Sequence, residues 1–556
     1  MAVVINGTTG IDKVQDDSVD IADLSATGSP SSSTYLRGDN TWATAGGATS
    51  LNGLSDATVT ADNNLGVGSG AVDSITTGDH NTGVGVNSLT ANTEGSSNVA
   101  MGRESLDANT TGSENTGIGY QALTSNTTAS GNTALGNKAL QQSTTAGYNV
   151  AVGWEAMKAT TTGGYNVAVG YQSMVANTTG GNNVSIGDSS MEANTTGNNN
   201  TAVGRGAMTA NTTGVYNVAF GHQALDANTT GNNNTALGRA SLSGATTAGN
   251  NTAVGYVALG DATLTGDDNT AVGHSALTAT TTGQHNTAIG KGSLISVTTG
   301  SSNVAMGRAT GANITTASHQ TLIGVEAGYS NATGGSNTLI GYQAGRSLAG
   351  DGGAGGVNNV CIGNGAGYDT TAYTGGRWNV VIGDFSRGSG GNAEAEVVIG
   401  YNLSSGAENR FTFGKGTNDS AINFGSTSIT APSDERLKEN ITTATAGLSF
   451  INDLRPVTYK WRQEKDIPDT MQAHVADSTT RFCNDKTNHG FVAQEVKTAI
   501  DAHSEIKDGF EMWDTDVQDG RQRIADGALV PILVKAIQEL SAQNTALEAR
   551  ITTLEE

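Results

Sequence analysis

The stretch NVAVGYQSMVANTTGGN, Asn166–Asn182, is followed at once by another Asn-Val pair, and its layout recurs along most of the chain. The opening motif, Asn-Val/Thr-Ala-apolar-Gly, begins at Asn81 and returns at Asn98, Asn115, Asn132, Asn149, Asn166, Asn183, Asn200, Asn217, Asn234 and Asn251, every step being 17 residues. One step of 18 leads to Asn269, and steps of 17 resume through Asn286, Asn303, Gln320 and Asn337. Looser copies follow at Asn359, Asn379 and Glu396, with a last echo, FTFG, at Phe411. Helical repeats run about 33 to 47 residues, so this period is too short for them and suits one coil of a parallel β-solenoid.

The unit reads as a coil. Side chains alternate along a strand, so Val167 and Val169 share one face and the small Ala168 takes the other. A second small–apolar pair follows in each unit, as at Ser105–Leu106, Ala122–Leu123 and Ala156–Met157. Asn and Gly tolerate left-handed backbone, so segments such as Ala176–Gly180 make the corners. No proline lies between Pro30 and Pro432, as an unbroken ladder of backbone donors requires. About nineteen coils at roughly 4.8 Å each predict a shaft on the order of 90 Å long. One coil cannot bury its own apolar face, so neighbours must stack. The core is thin, and the expectation is that several chains associate through the Ala-lined face.

Composition narrows the function. The chain has 556 residues, 77 of them glycine and 5 proline, with a net charge of −23. That charge opposes nucleic acid, whose phosphates demand clustered Lys and Arg. No run of 18 apolar residues predicts a membrane span. The start, MAVVINGTTGIDKVQDD, lacks the basic segment of a secretory signal, so synthesis in a cytoplasm without export is expected. Cys361 and Cys483 sit in regions of different composition, which argues against a disulfide framework. Histidines are scattered, so neither a metal site nor a cofactor is expected.

Residues 433–556 carry 36 charged residues against 43 in the 432 before them, which marks a second domain. Leu533, Leu540, Leu547 and Leu554 repeat every seven residues, as do Val530, Ile537, Asn544 and Ile551. This is a heptad seam with one polar position, predicting a coiled coil over about 527–556. The predicted layout is a non-repetitive segment at 1–48, a transition at 49–80 and a shaft over 81–415 with inserts at 342–378. A linker at 416–432 then leads to the domain at 433–556.

Two resemblances sharpen this. NTAVG, with Ala-Leu and a polar turn, resembles the head repeat of trimeric autotransporter adhesins, which implies a β-roll of three parallel chains. APSDERLKENI (Ala431–Ile441), LRPVTYKW (Leu454–Trp461), HGFVAQEV (His489–Val496) and LVPILVKAIQEL (Leu529–Leu540), in that order, resemble the C-terminal intramolecular chaperone of phage tail spikes and fibres, of the endosialidase type. The resemblance implies a mainly β, homotrimeric shaft followed by an α+β chaperone that ends in a trimeric coiled coil. It further implies one self-cleavage by a Ser–Lys dyad, on which Ser433 and Lys438 fall, with Pro432, Asp434 and Arg436 beside the cut. A serine hydroxyl is a poor nucleophile until a base takes its proton. Two cuts fit the chemistry: attack on the Pro432 carbonyl through a five-membered ring, or, as the family suggests, cleavage after the serine.

The segment Gly28–Ala43 resembles a stretch near the start of phage tail-fibre proteins, which implies attachment to tail or baseplate proteins, with Tyr35 and Trp42 as buried anchors. The resulting expectation is a virion tail fibre, made in the host cytoplasm, that binds a glycan receptor on the bacterial surface. Binding usually concentrates in loops on a rigid scaffold, so Tyr373, Arg377 and Trp378 in the second insert are the candidate receptor contacts. Tyr148, Tyr165, Tyr216, Trp154, Tyr171 and His222 are expected to pack rather than bind. The alternative is a tail spike that also degrades polysaccharide. Hydrolysis needs two carboxylates about 5 to 9.5 Å apart, whereas Glu155, Asp188, Glu192 and Asp226 are sparse along the coils. No activity on an external substrate is expected.

Overall fold

The computed structural model describes residues 63–260, 262–348, 356–368, 376–390, 394–426, 433, 435–471, 473–507, 510, 512–515 and 522–556, together with strands at 34–36, 42–44 and 57–59. They fall into two compact units, 1–432 and 433–556. In the first, every strand from Leu65–Val67 to Arg410–Lys415 lies parallel to the next, in about twenty turns of a solenoid. The register is strict: Val150 pairs with Val167, and Val167 with Val184. An antiparallel strand closes each end of the ladder, Ala57–Val59 against Leu65–Val67 and Asn418–Asn423 against Arg410–Lys415. The parallel ladder therefore starts one turn before Asn81. Ahead of it, Thr34–Leu36 and Trp42–Thr44 form a small antiparallel pair. The side chains of Tyr35 and Trp42 lie outside the described residues.

Two features lock the coils together. The first is a column of buried asparagines. The Asn166 backbone N–H donates to Asn149 Oδ1 (2.9 Å), and Asn166 Nδ2 donates to the Gly180 carbonyl (2.9 Å). Each Asn thus satisfies one donor of the next coil and one acceptor of its own corner, groups that would otherwise be buried unpaired at a cost of about 1–3 kcal/mol each. The second is the glycine that ends each strand. Gly170 has φ +139°, and a Cβ there would collide with the Gly187 carbonyl of the next coil. Only glycine serves, on both counts.

The interior reverses one expectation. Ala168 and Met174 are fully buried, while Val167 and Val169 are only half-buried on the outside. The Ala column faces the protomer's own core and is not available for association. Space explains this, because the lumen holds one large side chain per level. From Ala100 to Ala288 a small mid-strand residue, usually Ala, lies across from Leu or Met. Where that residue grows to Leu322 and Leu339, the opposite position becomes Gly328 and Gly345, whose Cβ atoms would crowd those leucines. Interiors are packed to constant volume, and this one keeps its volume by exchange.

The outer face bears the consequence. The residue after each small one is apolar throughout, and Met101, Leu135, Ile186, Phe220, Leu237, Met306 and Ile399 are among the exposed members of that column. The two inserts do not interrupt the ladder. Asn359 N–H still donates to Asn337 Oδ1 across 22 residues, and Val360–Ile362 and Val380–Ile382 keep register.

In the second unit, α1 (Leu448–Asp453), α2 (Ala493–Ala502) and α3 (Leu529–Glu555) surround a core of Phe450, Leu454, Val496, Ile500, Met512, Leu529 and Ile532. Phe450 meets Phe510 and His503 edge-on. The Glu539 carboxylate of α3 accepts the Leu448 N–H at 2.9 Å, holding the start of α1 against α3.

Candidate functional site

The second unit opens on the predicted dyad. A single 3₁₀ turn, Glu435–Leu437, separates Ser433 from Lys438 and is closed by Lys438 N–H donating to the Glu435 carbonyl at 3.0 Å. The turn folds the lysine back, so that Nζ donates to Ser433 Oγ at 2.8 Å. Nucleophile and candidate base are thus within hydrogen-bond reach, as acyl transfer requires. Both side chains are exposed. A lysine removes a proton only in its neutral form, which burial or a neighbouring cation favours. Arg436 is exposed on the intervening turn. Pro432 and Asp434 lie outside the described residues.

The heptad seam occupies one side of α3. Leu529, Ile532 and Ala536 are buried against the domain core, whereas Val530, Leu533, Ile537 (65 % exposed), Leu540, Leu547, Ile551 and Leu554 face solvent. From Ser541 onward every residue of the helix is exposed. A helix of that length standing free in water is marginal, so its apolar side calls for a partner.

The predicted receptor contacts divide. Tyr373 lies outside the described residues. Arg377 pairs with Glu394 (2.6 Å), and its guanidinium lies 4.6 Å from the Trp378 ring centre. Trp378 is 53 % exposed, with one face taken by that cation. Of the aromatics expected to pack, four pack against one another on the surface. Tyr148 stacks on Tyr165 and Trp154 on Tyr171, with centroids 5.1 and 4.9 Å apart, and all four are exposed. They sit one coil apart at the same place, and the rise of the solenoid is what stacks them.

The motifs do not single out a groove of about 510 Å3 spanning three coils, lined by Asp188, Ser189, Arg205, Gly206, Thr209, His222, Gln223 and Asp226. Its parts are 17 residues apart, so it becomes visible only once the coils are aligned. Among the described residues no group of three or more His, Cys, Asp or Glu is placed to hold a metal, and no helix is long and apolar enough to cross a membrane.

Residues 433–504 match the family described as chaperone of endosialidase. No curated protein and no solved structure matches the chain. A β-solenoid of about twenty turns, followed by a segment that matches the chaperone of endosialidase, fits a tail fibre with a C-terminal chaperone domain.

Proposed function

We propose that the protein is a homotrimeric phage tail fibre that attaches the virion to a glycan on the bacterial surface. In this reading its C-terminal domain brings three chains into register, promotes folding of the solenoid and then severs itself beside Ser433. The observation that carries the reading is the 2.8 Å contact between Lys438 Nζ and Ser433 Oγ at the first residue of the segment that matches the chaperone of endosialidase. Two exposed apolar surfaces support the assembly, the seam on α3 and the outer column of the solenoid. Parallel β pairing between distant segments is slow to form, and a helical clasp that aligns the chains lowers that barrier.

Native mass spectrometry beside a denaturing gel tests this. The expected result is an assembly of three shafts, with each chain cut near residue 433. Ser433→Ala is expected to give three uncut chains, the reaction slowing at least 10³-fold as for loss of a nucleophile. A wild-type monomer, or wild-type chains that stay full length after assembly, would overturn the corresponding half of the proposal.

A further inference from the structure

The groove over Asp188–Asp226 exists because one coil is under-filled. At the second position after the strand-ending glycine, neighbouring coils carry Glu155, Gln172, Ser189 and Gln223, whereas the middle coil of the groove carries Gly206. Three residues on, it has the short Thr209, while the flanking coils have Glu192 and Asp226. The gap is therefore written in the sequence as two small residues inside a column of larger ones.

The walls have a definite chemistry. Arg205 lies between Asp188, 3.6 Å from its Nε, and His222 in the same column. His222 Nδ1 is buried from solvent with no hydrogen-bond partner. Asp226 is half-buried, and burial pushes its carboxyl above the usual range, although its own N–H and that of Ala227 hold the charged form. Gln223, Ser189 and Thr209 add neutral donors and acceptors. Two carboxylates repel an anion, and the guanidinium repels a cation. No wall is apolar enough for a hydrophobic ligand. What remains is a neutral molecule dense in hydroxyls, each of which both donates and accepts. One coil earlier, in the column of Asp188, stands the exposed Tyr171, one face of which is taken by Trp154. An aromatic ring beside carboxylates and an amide suits a pyranose, which has an apolar face and a polar rim. The volume lies within the usual range for small-ligand sites, about 300–1,000 Å3.

We propose that this groove is a carbohydrate subsite that takes one or two neutral sugar units of a bacterial surface polysaccharide, with Asp226, Gln223 and Arg205 hydrogen-bonding the ring hydroxyls. The proposal rests on the glycan-attachment reading above and adds a place on the shaft, away from Arg377 and Trp378.

Gly206→Gln is the cleanest test. Gly206 has φ +62°, and Gln121, Gln172 and Gln223 hold the same column position at φ +50° to +55°, so the backbone accepts the change. A Cβ there meets only Thr209 Oγ1 at 3.3 Å and Gln223 Cγ at 3.7 Å. Gly292, in the same column with nothing within 4 Å of its Cβ, supplies the control Gly292→Gln. The full-length protein and its variants would be applied to an array of purified bacterial capsular and O-antigen polysaccharides. Gly206→Gln and Asp226→Asn are each expected to weaken binding at least tenfold with unchanged melting, and Gly292→Gln to bind as wild type. Equal binding by wild type, Gly206→Gln and Asp226→Asn would overturn the groove and leave glycan attachment standing. No binding of the wild type to any polysaccharide would overturn the attachment reading and the groove with it.

Discussion

Asn183 illustrates the work done by a single side chain. Its Oδ1 accepts the Asn200 N–H (2.9 Å) and its Nδ2 donates to the Gly197 carbonyl (2.9 Å), so it links one coil to the next and closes its own corner. The column is broken where Glu396 takes the place of Asn. Glu396 is fully buried, and burial pushes its carboxyl above the ordinary range, although the Ser389 hydroxyl and N–H donate to it. A carboxyl whose folded pKa is raised contributes fully below its unfolded pKa and loses that contribution as pH rises through the folded one. Wild-type stability is therefore expected to fall across the mildly acidic range towards neutrality. Gln320 already occupies this column in another coil, so Glu396→Gln fits. It is expected to raise the melting temperature by a few degrees at pH 7 and to have no effect well below the carboxylate range, as calorimetry across pH would read.

At the scale of the element, α3 has two sides with different duties. Ile532 and Ala536 fasten it to the domain, while Ile537, Leu540 and Leu547 are exposed. Leu540→Glu should leave the domain core intact and cost the assembly about 3 kcal/mol per chain, by lost burial and like-charge crowding in the seam. Light scattering after gel filtration would show the proposed trimer shifted to monomer, and an unchanged assembly would remove α3 from the interface. The seam was plain in the sequence because its seven-residue spacing is local. So was the solenoid, because a buried Asn column demands the same residue at the same step. The inward face was not. Alternation in Val167-Ala168-Val169 defines two sides without saying which is enclosed, and the larger side chains invite the wrong choice. The signal lay further along, in the exchange of Leu322 and Leu339 against Gly328 and Gly345. The dyad was legible only through the resemblance of its segment to the endosialidase-type chaperone, and its 2.8 Å geometry depends on the turn at Glu435–Leu437. The groove was invisible for a different reason, since Gly206 matters only against neighbours 17 residues away on either side.

At the scale of the whole molecule, the proposed cut separates how the fibre forms from how it persists. A solenoid whose contacts reach only adjacent coils has nothing within it to set three chains in register. If the domain at 433–556 supplies that alignment and then leaves, the remaining shaft is held by the height of its unfolding barrier. Mature, cut protein denatured in guanidinium and then diluted is expected to recover at least tenfold less shaft than uncut Ser433→Ala treated alike. Circular dichroism with light scattering measures both, and equal recovery would deny the domain its role in folding.

The identity of contacts from coil to coil reaches beyond the folded state. Because Asn166, Asn183 and Asn200 present the same two hooks at the same place, a chain shortened by one whole unit finds each hook already in position, and so does a chain lengthened by one. Gain or loss of a whole unit would then alter the length of the shaft in fixed increments and spare the fold, while a change of any other size is accommodated only in a loop, as where Asn359 reaches Asn337 across 22 residues. A shaft built this way can be lengthened or shortened without redesigning a single joint.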